Sequence, residues 1–181
     1  MQKGCDVFLD VGANIGTYSL QAAQLALADE IHAFEPDPRN YAQLQGNLYL
    51  NKFTNIIQAH NLALSNIGGL LKFELGTDDK PDLTKVATGH EATIELMASP
   101  LDEVLSYRGK RIFLKIDTEG HEHAVLKGAT QILKNNRCFL QVEAWPANAA
   151  AMTKHLEALG YACIHRIHDD YYFSATCRYN H

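Results

Sequence analysis

The sequence predicts an α/β fold, a mostly parallel sheet wound with helices, and three observations predict it. Apolar strand-like runs alternate with helical patterns from Cys5 onward. The first run enters a helix through a glycine loop, F-L-D-V-G-A-N-I-G over 8–16. Of the expected strand ends Asp10, Glu35, Asn61, Asp117 and Glu143, four are acids.

Each element can be justified in order. Cys5 to Val11 reads as the first strand, and Thr17 to about Ala28, rich in alanine and leucine, as the first helix. Ile31 to Glu35 is a second strand. Asp37 followed by Pro38 then gives an N-cap and a first helical residue, with Tyr41, Leu44 and Leu48 at helical spacing. Asn55 to Ala59 is a third strand. Leu70 to Leu75 and Ala92 to Ala98 are strand-like, and the turn-rich Gly76 to Glu91 between them is either a mobile loop over the cleft or a plain connection. Ser99 and Asp102 bracket Pro100 in a capping pattern that opens a short helix through Leu105. Arg111 to Asp117 is a buried strand, Glu122 to Asn135 one helix, Cys138 to Glu143 a strand, and Ala147 to Leu159 a helix closed by Gly160. Tyr161 to His168 and Tyr171 to Cys177, flanking Asp169 and Asp170, form an antiparallel hairpin. The pattern is that of one sheet.

The totals set bounds. At 181 residues, 46% hydrophobic and 20% charged, the chain fits a single domain with a substantial core over 1–181. A formal net charge of −5 argues against a nucleic-acid partner. Cys5, Cys138, Cys163 and Cys177 are scattered, which disfavours disulfide stapling or a zinc knuckle. With neither a membrane-spanning run nor a signal-peptide pattern, the expectation is a cytoplasmic protein with no membrane partner.

The glycine loop is the first candidate site. Gly12 and Gly16 let the backbone take positive φ and let a ligand approach bare main chain, while the helix start offers N–H groups to an anion. Laid on Gly12, the dinucleotide pattern G-x-G-x-x-G would need glycine at Asn14 and Thr17, so a nicotinamide-dependent oxidoreductase is the weaker reading. Glu35, ending the next strand, suits two ribose hydroxyls. Asp10 is expected to meet a ligand ammonium, and the helix start its carboxylate. Ribose, ammonium and carboxylate without phosphate describe S-adenosylmethionine.

The second candidate site is D-T-E-G-H-E over 117–122, where Asp117, Glu119, His121 and Glu122 surround a glycine turn at a helix mouth. Ligands of wound sheets bind beyond the carboxyl ends of the strands, so Asp117 is a functional candidate. Glu122 more simply favours the positive start of the helix. Lys115, two residues before Asp117 in an apolar strand, needs an acidic partner if buried. Asp117, Glu119, His121 and Glu143 could instead hold a divalent cation, a reading not favoured here because acids alone do not make a metal site. Trp145, Tyr171 and Tyr172 are read as core aromatics before ring-stacking residues, and His165 and His168 as surface residues.

Together F-L-D-V-G-A-N-I-G-T-Y, A-F-E-P-D-P, N-L-A-L-S and L-K-I-D-T-E-G-H-E-H-A-V-L-K-G-A resemble the FkbM-type methyltransferases, a branch of the class I S-adenosylmethionine-dependent superfamily. The resemblance runs from about Phe8 to Glu143. It implies a Rossmann-like, seven-stranded sheet, parallel except for one strand, and O-methylation of a small-molecule hydroxyl such as a sugar or natural product. It also implies that Asp10, Gly12, Ala13, Asn14, Gly16 and Thr17 form the cofactor loop and Glu35 the ribose clamp. Asn61 and Leu62 would flank the adenine. Asp117 would lie near the transferring methyl, with Asp117 or His121 as base and Glu119 orienting the acceptor. Two departures from the family pattern stand out. Only nine residues precede Asp10, which leaves little or no room for a covering N-terminal helix, and Trp145 stands where a histidine is expected. A non-catalytic S-adenosylmethionine-binding module is the alternative reading.

Overall fold

The computed structural model describes residues 4–74, 85–86 and 93–176. In chain order these form β1 (Val7–Val11), α1 (Thr17–Gln24), β2 (Glu30–Phe34), α2 (Pro38–Leu50), β3 (Ile57–His60), β4 (Ala63–Leu64), β5 (Gly69–Glu74), β6 (Lys85–Val86) and β7 (Thr93–Ser99). They continue with α3 (Leu101–Val104), β8 (Arg111–Ile116), α4 (Glu122–Gly128), α5 (Thr130–Asn135), β9 (Arg137–Glu143), α6 (Pro146–Ala158), β10 (Tyr161–Ile167) and β11 (Asp170–Ala175).

The main sheet has seven strands in the order β10-β11-β9-β8-β1-β2-β3. β11 is antiparallel to both neighbours and all other pairs are parallel, so one strand runs against the rest. All five residues of β1 are buried, as a strand flanked on both edges and covered on both faces requires. From β1 the chain first builds outward through β2 and β3, and later returns to lay β8 on the other edge of β1. That reversal opens a crevice beyond the carboxyl ends of β1 and β8.

The core lies on both faces of this sheet. Leu9, Leu114, Leu140 and Phe173 pack with Leu126, Ile132, Met152 and Leu156, while Phe8, Ile31 and Ile57 pack with Leu44 and Leu48 of α2. α2 starts as its sequence implies, with Asp37 accepting the Arg39 N–H at 2.8 Å and Pro38 opening the helix. A partly buried polar chain runs from β3 across β2 to Tyr107. His32 Nδ1 lies 3.1 Å from His60 Nε2, its Nε2 lies 2.9 Å from the Tyr107 hydroxyl, and that hydroxyl donates to Glu30 at 2.7 Å. Burial depresses His32 to about 4, so the ring sits in the core uncharged.

The structure corrects four sequence-based expectations. There are two sheets: β4-β7-β5-β6 form a second, mixed sheet with its own small core of Ala63, Phe73 and Ala98. Its first strand has two residues and pairs with the distant β7, which leaves no periodicity to read. The first helix ends at Gln24 because Ala26 turns to φ 49°. The expected helix over 122–135 breaks at Ala129 into α4 and α5. Ser99 and Asp102 do not cap α3, whose N-cap is Pro100 without a side-chain bond. Asp102 instead accepts the Gln131 and Ile132 N–H groups at 2.7 and 2.9 Å and starts α5. The loop expected over 76–91 lies outside the described residues except for Lys85–Val86, which pair with β5.

Candidate active site

A cavity opens at the β1/β8 crevice, walled by Gly12 and Asn14, by Phe34, Glu35, Pro36 and Asn40, by Leu62 to Leu64 and Phe73, and by Asp117 to Glu119 and His121. The glycine loop and the D-T-E-G-H-E turn therefore meet. Gly12, at φ 78°, passes so close to the Asp117 backbone that a Cβ there would run into the Asp117 carbonyl.

Glu35 carries the strongest ligand signal. Its Oε2 accepts the Asn14 N–H at 2.8 Å and its Oε1 the Asp37 N–H at 2.9 Å, which fixes the carboxylate against the cavity. A carboxylate has about four acceptor positions, so each oxygen keeps one for a ligand. Burial pushes the carboxyl up to about 7, opposed by the two N–H bonds. Asn14, at φ 51°, also has a buried side-chain oxygen with no hydrogen bond to any described residue.

Several expected cofactor residues support the cavity from behind it. Asp10 is fully buried, its Oδ2 accepting the Ser19 N–H and hydroxyl at 3.1 and 2.7 Å, so it caps the first turn of α1. The ammonium facing it belongs to Lys115, 3.8 Å from Oδ1. Ala13 donates to the Phe34 carbonyl, and Gly16, at φ 91°, sits where a Cβ would meet the Leu44 side chain. Thr17 is exposed at the start of α1. Asn61 donates to the carbonyls of Glu35 and Pro36, both at 2.9 Å, and so holds the loop after β2 while Leu62 lines the cavity.

The expected catalytic residues gather on the β8 side. Asp117 Oδ2 takes the Lys115 ammonium at 3.2 Å, and that ammonium also lies 4.5 Å above the Tyr18 ring. Burial alone would favour the neutral amine, but Asp10 and Asp117 outweigh it and hold Lys115 above its usual range. The partner that sequence reasoning sought for this lysine is thus a pair of acids. Glu119 takes φ 53° in the turn. His121 places Nε2 2.9 Å from the Ser65 hydroxyl, and burial lowers its pKa. Glu122 shapes the loop, its Oε1 accepting from Gly120 N at 2.7 Å and from both the backbone and hydroxyl of Thr118. Sequence reasoning missed Phe73, Asn40 and Ser65. Phe73 lies in a run that reads as a strand, but nothing local places that strand at the cavity, and Ser65 follows a two-residue strand with no periodicity. Among the described residues no group of three or more His, Cys, Asp or Glu side chains is gathered as metal ligands, and no helix is long and apolar enough to cross a membrane.

An open wound sheet with a close glycine approach at its switch point and a buried carboxylate facing the crevice defines a Rossmann-like α/β domain. Comparison with known proteins narrows this: residues 10–163 match the methyltransferase FkbM domain, and the chain belongs to that family. It is 32% identical over 132 residues to the hexuronic acid methyltransferase AglP of Haloferax volcanii, covering 72% of this chain and 52% of that protein. The FkbM methyltransferase structure from Methylobacillus flagellatus superposes with a TM-score of 0.67 at 20% identity, over 96% of this chain and 44% of that one. The ribosomal protein L11 methylase of Lactobacillus delbrueckii subsp. bulgaricus gives 0.58 at 14% identity, over 98% and 72%. The chain thus spans about half the length of its FkbM relatives.

Proposed function

We propose that this chain is an S-adenosylmethionine-dependent methyltransferase domain that methylates a hydroxyl of a small, sugar-like acceptor in the cytoplasm. The observation that carries the proposal is Glu35, buried and anchored by two backbone N–H groups, with an acceptor position left on each oxygen beside the close-packed Gly12. That arrangement suits vicinal ribose hydroxyls, and Asn14 and Thr17 stand where a pyrophosphate loop would have glycine. Family membership supports the reaction class, and the hexuronic acid methyltransferase relative supports a sugar acceptor.

The bound cofactor would supply a methyl group activated on a sulfonium. The chain's own residues do the rest. Glu35 grips the ribose, the walls from Phe34, Leu62 and Phe73 enclose the base, and Gly12 lets the ligand reach the Asp117 side of the crevice. Asp117, fixed by Lys115, and Glu119 orient the acceptor, and aligning it can lower the barrier by roughly 7–11 kcal/mol. A positioned base adds about 10²–10⁴-fold.

Calorimetry with S-adenosylhomocysteine and NAD tests the binding claim: S-adenosylhomocysteine should bind and NAD should not. A methyl-transfer assay over para-nitrophenyl glycosides, with and without chelator, tests the activity. Binding without transfer to any acceptor would favour the non-catalytic module.

A further inference from the structure

The strands β8, β1, β2 and β3 stand side by side in that order, and the cavity wall follows their carboxyl ends from Asp117 through Gly12 to Glu35 and on to Leu62. A ligand with its sulfur toward Asp117 and its ribose on Glu35 therefore lays its base beyond Glu35, against the residues that follow β2 and β3. There the wall is apolar, built from Phe34, Pro36, Leu62 and Phe73, and Asn40 is the uncharged polar side chain set among them. Asn40 is the third residue of α2 and only 5% exposed. Its side-chain amide makes no hydrogen bond to any described residue, although buried amides are paired as a rule. Asn61, expected from the sequence to flank the adenine, spends its amide N–H groups on the Glu35 and Pro36 carbonyls.

We propose that Asn40 reads the adenine of the cofactor, accepting from the 6-amino group on Oδ1 and donating from Nδ2 to the adjacent ring nitrogen. The inference rests on the S-adenosylmethionine reading given above. An amide presents one acceptor and one donor side by side in a plane, which matches the donor and acceptor along an adenine edge. The apolar walls touch the faces of any purine alike, so the choice of base falls to a polar group at its edge. Asn40 is also held in a fixed relation to the ribose clamp. Asp37 donates its N–H to Glu35 Oε1 at 2.9 Å and accepts the Arg39 N–H on Oδ1 at 2.8 Å, so one residue anchors the clamp and caps the helix that carries Asn40.

The test is calorimetry on the full chain with S-adenosylhomocysteine and with its analogue carrying hydrogen in place of the 6-amino group. The unsubstituted protein should prefer S-adenosylhomocysteine by about 10–100-fold. Asn40→Leu should bind both ligands more weakly and about equally. Asn40→Asp has the same shape and keeps the acceptor but loses the donor, so it should weaken S-adenosylhomocysteine by about tenfold and still prefer the amino ligand; it carries the test if the leucine variant does not fold. A leucine variant that keeps the full preference would assign Asn40 to the ribose or to packing and overturn the inference, as would an unsubstituted protein that binds the two ligands alike. Both results leave the methyltransferase reading intact. That reading fails, and the adenine assignment with it, if the unsubstituted protein does not bind S-adenosylhomocysteine.

Discussion

Asp10 and Lys115 are Cα partners on adjacent parallel strands, and their charged ends meet at 3.8 Å inside the sheet. Both are almost wholly buried, and Asp10 Oδ1 has no hydrogen bond to any described residue. The lysine is therefore the main compensation for this anion. Removing one partner of a buried pair typically costs about 3–5 kcal/mol. Lys115→Met should destabilise the fold by that amount in urea titration. Asp10→Asn in the same chain should recover a large part, and equal stabilities for single and double variants would refute the pairing.

Gly12 holds the two halves of the site together. Alanine there would combine a left-handed backbone, at φ 78°, with a Cβ driven into the Asp117 carbonyl. Strain of this kind costs about 1–3 kcal/mol, and relieving it must widen the crevice. Gly12→Ala is expected to lower the melting temperature and to abolish S-adenosylhomocysteine binding in calorimetry. Unchanged affinity would show that the loop does not touch the cofactor.

Glu35 links stability to pH. Its carboxyl titrates at about 7 in the folded chain against an ordinary 4.5, so between those values the folded state keeps a proton the unfolded state has released. Stability contributed by that proton is complete below about 4.5 and is lost as pH rises through 7, a change of about 3 kcal/mol from a shift from 4.5 to about 7. Glu35→Gln should remove this component of the pH slope in urea titrations from pH 5 to 8. Cofactor affinity should move oppositely in the unsubstituted protein, rising through about pH 7 as the carboxylate ionises to accept the ribose hydroxyls.

What could be read from the sequence follows from where the information is local. The loop over 8–16, Asp37 with Pro38, and the terminal hairpin are each specified by neighbouring residues, and the structure shows a glycine-lined turn, a capped helix and an antiparallel pair there. Two strands of the second sheet, β5 and β7, were legible as apolar runs, but their assembly into a separate sheet was not, because Ala63–Leu64 gains strand character only from Ala98 and Ser99. Asp10 illustrates a finer limit. Its position at a strand end suggested a ligand contact, but the side the carboxylate faces is fixed by Ser19 and Lys115, one in a helix and one in another strand.

The same lesson gives the last prediction. Gly128 lies so close to β4 that a Cβ would run into the Ser65 carbonyl, and the helix path turns just after it at Ala129. Alanine cannot cap the new helix, so α5 depends on the Asp102 carboxylate, which reaches across from α3 to the Gln131 and Ile132 N–H groups. Losing such a cap costs about 0.5–2 kcal/mol. Asp102→Ala should lower stability by that amount, and Asp102→Asn, which keeps one acceptor, by less. Because Asp102 does not line the cavity, S-adenosylhomocysteine affinity should be the same in all three proteins. An alanine variant as stable as the parent would mean that α5 starts without the α3 carboxylate.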